Sequence, residues 1–119
     1  MATVDEQIQL AEEIAQEIIE RLMHAARDNR EAKNLLKASR NEWMRWMQVA
    51  GNYSVGKGIA YAQSLSRDIT MRSNIQKINH QFGIVVPNYK KRLEALSPKQ
   101  QRQVLGYVAW YLRIAGEDR

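Results

Sequence analysis

Apolar residues return every three or four positions along most of this chain, the spacing of one helix face rather than of a strand. Thr3-Val4-Asp5-Glu6 opens the first such series as a capping box, in which threonine and glutamate each satisfy a free backbone N–H. Ile8, Ala11, Ile14, Ala15, Ile18, Ile19, Leu22, Ala25 and Ala26 then share a face, with His24 opposite, among Glu13, Glu17 and Glu20. Asp28-Asn29-Arg30-Glu31 resembles a second capping box and predicts a tight turn into a helix running to about Ala50. On that helix Ala32, Leu35, Leu36, Trp43, Trp46, Met47 and Ala50 fall on one arc, so both tryptophans belong to the core. Lys33, Lys37 and Arg40 form a row along its flank, continued by Met44.

Gly51-Asn52-Tyr53-Ser54 ends the second helix, and Val55, Ile59, Ala62, Leu65 and Ile69 begin another stripe. Met71, Ile75, Ile78 and Phe82 are helically spaced too, but on a continuous helix they would project from the opposite side. Either the chain breaks between Asp68 and Ser73, or one helix buries its two halves against different neighbours, including a second copy. The local Ser, Asp and Thr favour the break. Ile84-Val85-Val86-Pro87 reads as an extended connector, because proline disfavours helical backbone in the residue before it. Asn88 to Leu96 fits two turns carrying Lys90, Lys91 and Arg92. Ser97-Pro98-Lys99-Gln100 supplies a serine cap, a proline at the first helical position and a glutamine at the third. The last helix then runs to about Ala115, with Gly116 as its stop. These elements predict an all-α fold: one domain over residues 1–119, a compact bundle of four to five helices. The first, second and last helices supply most of its core.

Composition narrows the class. A chain of 119 residues with 45% hydrophobic and 26% charged residues has room for one modest core. With no cysteine and two histidines, neither a disulfide framework nor a thiolate metal site is available, and no cofactor or metal is expected. No segment has the length of a membrane span, and Met1 to Glu13, with four acids and no base, is unlike a secretory or transit signal. The expected location is the cytoplasm.

Charge is unevenly distributed. Residues 1–32 hold eight acids and three bases, residues 33–102 three acids and thirteen bases, and residues 103–119 two of each, for net charges of −5, +10 and 0. A basic middle favours polyanionic partners, although the same charge also serves solubility. The final helix adds an aromatic to this field. Val104, Leu105, Val108, Tyr111, Leu112 and Ala115 make its buried arc, with Tyr107 and Ile114 at one edge. Trp110 points the other way, on an outer strip with Lys99, Arg102, Gly106 and Arg113. Stacking on an aromatic ring beside cations is how single-stranded nucleic acid is held without sequence preference. A protein interface uses the same residue types.

Catalytic motifs find little support. Gly51 to Gly58, GNYSVGKG, copies most of the phosphate-loop pattern, but Gly58 replaces its Ser/Thr and a predicted helix stands where a strand should. Lys57 and a nest of backbone amides there could still hold one phosphate of a larger polyanion. Arg72 and His80 loosely resemble the Arg–His pair of small helical ribonucleases, yet nothing else in the sequence supplies the converging geometry.

The short, basic, helical chain ending in Ala109-Trp110-Tyr111-Leu112-Arg113-Ile114-Ala115 resembles the small helical subunits of type III CRISPR effector complexes. That resemblance, confined to the last helix and the general format, implies a non-catalytic subunit that stacks with copies of itself and touches a nucleic-acid backbone through Lys and Arg. The segment from Asn52 to Gly58 and the two-faced stretch after it depart from that pattern. The function expected is a non-enzymatic, sequence-nonspecific nucleic-acid-binding accessory subunit of a larger assembly. Its partners would be RNA or single-stranded DNA and other protein subunits. Lys33, Lys37, Arg40, Lys57, Lys90, Lys91, Arg92, Lys99, Arg102 and Arg113 would contact phosphate, and Trp110 would stack. The alternative is a helical adaptor or homo-oligomeric scaffold, with Trp110 and the Met71, Ile75, Ile78 and Phe82 stripe as protein contacts.

Overall fold

Local capping chemistry sets where most of the helices begin. Thr3 Oγ accepts the Glu6 N–H (3.1 Å) while the Glu6 carboxylate accepts the Thr3 N–H (3.3 Å). Ser97 and Gln100 make the same reciprocal pair at 3.2 and 3.4 Å. At Asp28 only half of the box forms: its carboxylate accepts the Glu31 N–H (2.8 Å), but Glu31 turns to the Arg27 N–H (3.2 Å) and to Lys77. Ser54 is a further cap, accepting the Lys57 N–H at 3.1 Å.

The computed structural model describes residues 2–117. In chain order it contains α1 (Val4–Ala25), α2 (Asn29–Asn52), α3 (Val55–Arg67), α4 (Ser73–Val85), a 3₁₀ turn (Val86–Tyr89), α5 (Lys90–Glu94) and α6 (Pro98–Glu117). No strand occurs among the described residues, and the architecture is the all-α bundle expected: five substantial helices with one short turn of helix between the last two. None of the described helices is long and apolar enough to cross a membrane.

Helices α1, α2 and α6 pack side by side. Gly116 near the end of α6 meets the α2 backbone at Leu36 and Lys37, and Trp43 reaches Leu105 earlier in α6, so these two helices run antiparallel. The Gln100 side chain donates to the Ala2 carbonyl at 3.2 Å, and Ile8 shares a groove with Tyr107, so α1 and α6 run in the same direction. Helices α3 and α4 form a hairpin against this group. Phe82 of α4 sets its ring edge-on to Trp43 at 5.1 Å, and Trp43 stacks on Trp46 at 4.6 Å. Both tryptophans and Phe82 are fully buried, with Ile14, Ile18, Leu22, Leu35, Ile78 and Leu112 around the same core.

The two-faced segment resolves into two helices. Asp68 ends α3, its carboxylate accepting the Thr70 N–H and hydroxyl (2.9 and 2.6 Å), and the chain reverses before Ser73. Reversal turns the second stripe inward, so Ile78 and Phe82 are core residues rather than an outward face. Ile69, placed in the first stripe by spacing, lies in this turn and is 92% exposed.

Two sequence expectations are corrected. The extended connector at Ile84 to Pro87 is helical: α4 continues to Val85, and Val86 keeps right-handed backbone (φ −58°, ψ −40°) despite the proline after it. Burial of Val85 and Val86 outweighs the local preference, and Pro87 sits in the first turn of the 3₁₀ segment, where no N–H is needed. Gly116 does not stop α6; the helix runs through it to Glu117. A Cβ there would stand 3.1 Å from the Leu36 carbonyl oxygen and 3.2 Å from the Lys37 Cα, so glycine lets the two backbones approach. Gly58 likewise serves packing, since a Cβ would lie 2.9 Å from the buried Trp46 ring.

These positions give a paired test by urea denaturation. Gly116→Ala is expected to cost about 1–2 kcal/mol, because backbone atoms must yield to it. Gly106→Ala, where a Cβ meets nothing within 4 Å, should gain about 0.5–1 kcal/mol from helix propensity. A stabilising Gly116→Ala would refute the close-approach account.

Candidate nucleic-acid interface

The cationic row on α2 and the last turns of α6 meet across a shallow cleft of about 310 Å³. Lys37, Arg40 and Asn41 line one side, Leu112, Arg113, Gly116 and Glu117 the other. Antiparallel packing explains this: closure at Gly116 brings Lys37 opposite the end of α6 and Arg40 opposite Arg113. Lys37 and Arg113 are exposed, and Arg40 is half-buried with its stem along the cleft. Arg113 pairs with Glu117 one turn on (3.0 Å), but both are more than half exposed, so the pair is weak and exchangeable. Three cations against one carboxylate leave the cleft positive. Lys33 continues the α2 row as an exposed residue, and Lys99 and Arg102 are exposed in the first turns of α6.

Trp110 is 55% exposed and stands on the crest of α6, its ring edge-on to Tyr111 at 5.4 Å. On the side facing α1 lies an apolar groove of about 500 Å³, bounded by Ile8, Gln103, Gly106, Tyr107, Trp110 and Tyr111. Sequence reasoning placed Ile8 and Tyr111 in the buried arcs, and the structure leaves both only half-buried at the groove. The signal was present in Tyr107 and Ile114 at the edge of the arc, but a second helix was needed to show that the edge is a groove.

The remaining candidates lie elsewhere. Lys57 is exposed in the first turn of α3, and Lys90 packs its stem over Gly56, where a Cβ would be 3.6 Å from the Lys90 Cε. Lys90 pairs with Glu94 (2.9 Å), Lys91 is exposed, and Arg92 pairs with Glu13 (2.7 Å) while its guanidinium sits 5.8 Å from the Tyr89 ring centre. These four residues gather around α3 and α5, apart from the α2–α6 cleft. The described backbone has no positive φ outside or at glycine, and the Gly58 N–H is spent on the Ser54 carbonyl (2.9 Å). The nest of amides expected beside Lys57 is therefore not formed, and no strand precedes the phosphate-loop pattern.

The acidic face of α1 is partly covered. Besides Glu13 with Arg92, Glu17 accepts from the Tyr89 hydroxyl (2.7 Å) and the Asn88 amide (3.2 Å). A further polar seam joins α2 to α4, where buried Glu42 accepts from Arg45 (2.8 Å) and Asn79 (3.2 Å). Desolvation, reinforced by the bond to Glu17, pushes the Tyr89 phenol up to about 12 from 10. The unfolded chain releases that proton near pH 10 and the folded chain retains it. The associated stability is present below pH 10 and is lost as pH rises toward 12. Tyr89→Phe should flatten this alkaline decline in urea midpoints measured on either side of pH 10; an unchanged slope would show that Tyr89 does not carry it.

Comparison of the chain with protein-family models, with curated proteins and with solved structures yields no match.

Proposed function

We propose that this protein is a non-enzymatic, sequence-nonspecific nucleic-acid-binding accessory subunit that works within a larger assembly. The observation that carries the reading is the convergence of Lys37, Arg40 and Arg113, from two helices, on one open cleft with a single opposing carboxylate. Such a surface attracts phosphate through charge rather than through base edges, and its arginines add forked hydrogen bonds that lysine lacks. Exposed Lys33, Lys99 and Arg102 extend the field along the same two helices. A subunit of the type III CRISPR format would use a surface of this kind, and membership of such an assembly is part of the proposal.

The adaptor reading has one observation of its own, the apolar groove beside Trp110 with Val4, 59% exposed, near the start of the adjoining helix. Fluorescence anisotropy of a labelled single-stranded RNA and a DNA duplex, titrated with protein at two salt concentrations, separates the two. Several phosphate contacts should cost on the order of 10³-fold in affinity between about 50 and 200 mM salt. Absence of binding at low salt, together with concentration-dependent self-association, would move the assignment to the adaptor.

A further inference from the structure

The basic cleft and the apolar groove lie on opposite sides of one helix, and a single strand can use both at once. At 100° per residue, Arg102 and Arg113 sit less than a quarter-turn from Trp110 toward α2, while Tyr107 and Tyr111 lie toward α1. Arg113 lies ~7 Å from Trp110 over a helix surface of ~5 Å radius, within reach of one nucleotide. Between them Gly106 leaves a low saddle beside the Trp110 ring, since a Cβ there would meet nothing within 4 Å. The groove offers aromatic rings and one amide, Gln103, which can both donate and accept.

Resting on the nucleic-acid reading above, we propose that the α1–α6 groove receives unpaired nucleobases of a single strand whose phosphates lie along the α2–α6 cleft. Charge decides the occupant: the cations flanking the aromatic crest complement a ligand that presents anionic phosphate and flat apolar rings side by side. A duplex presents the phosphates with its bases already stacked, so it engages the cleft alone. The protein therefore prefers single strands to duplexes of the same length, without preference for sequence.

Trp110 provides the readout. Trp43 and Trp46 are fully buried, so a ligand-dependent change in tryptophan emission comes from Trp110. The probes are an oligothymidylate of about ten nucleotides, an abasic strand of the same length and a DNA duplex. Quenching by the oligothymidylate is expected, with affinity at least about tenfold above that for the abasic strand. Trp110→Ala should remove that advantage, and Trp110→Tyr, which keeps a stacking ring, should restore most of it. Gly106→Leu, which raises a ridge in the groove, should also remove it while raising the thermal midpoint, so misfolding is not the cause.

Equal affinity for all three probes, unperturbed emission and silent groove variants would overturn the groove proposal. If charge reversal at Lys37 and Arg40 still abolished binding, the electrostatic reading would stand alone. No binding of any probe at low salt would defeat both. Self-association that Trp110→Ala abolishes, with no emission change on adding oligonucleotide, would assign the groove to a protein partner and overturn the proposal.

Discussion

Reversing the three cleft charges, Lys37→Glu, Arg40→Glu and Arg113→Glu, is expected to weaken single-strand binding on the order of 10²-fold or more at low salt. It should leave thermal unfolding nearly unchanged. The cleft cations are exposed or half-buried, and the Arg113–Glu117 pair is solvated at both ends, so little native stability is lost with them. The salt dependence carries more information than the affinity. Each phosphate neutralised on a single strand contributes about 0.7 to the slope of log affinity against log salt, so three lost contacts lower it by about 2. A matched reversal at Lys57, Lys90 and Lys91 changes net charge equally but lies around α3 and α5, where Lys90 is already paired with Glu94. It should reduce the association rate through the long-range field and leave most of the slope intact. Equal losses in the two triple variants would show that net charge, not the cleft, attracts the polyanion.

Sequence alone could not have set those two triples apart. Helical spacing placed Lys33, Lys37 and Arg40 in a row, and Arg102, Trp110 and Arg113 on one strip, because each set lies on a single helix and obeys its period. That Arg40 faces Arg113 depends on how α2 packs on α6, which one-helix spacing does not encode. The same division holds for the fold. The capping boxes at Thr3 and Ser97 are local chemistry and were legible, whereas the change of side in the apolar stripe after Asp68 left one helix or two open until the packing of α3 on α4 decided it. The glycines at 58 and 116 were not legible, for each is fixed by a ring or backbone segment on another helix. Val86 shows the third kind of failure: a sound local rule about residues before proline yields to burial.

Trp43→Ala should cost about 3–5 kcal/mol, lowering the thermal midpoint by roughly 15 °C and leaving a marginal fold. The Trp43 side chain links three helices: its ring stacks on Trp46, meets the Phe82 edge from α4, and its Nε1–H donates to the Leu105 carbonyl of α6 at 2.9 Å. Phenylalanine at the two tryptophan positions separates packing from hydrogen bonding. Trp43→Phe loses volume and the bond to Leu105. Trp46→Phe loses similar volume, but the Trp46 Nε1–H is buried against Gly58 with no acceptor, so its removal also relieves an unmet donor. Trp43→Phe should therefore be the more destabilising by about 1–2 kcal/mol in urea denaturation. Equal costs, or a larger one at Trp46, would show that ring packing alone governs both sites. The difference matters for the interface because the Trp43–Leu105 bond ties α2 to α6. A folded Trp43→Phe protein with weakened single-strand binding and unchanged net charge would show that the cleft depends on this tie as well as on its cations.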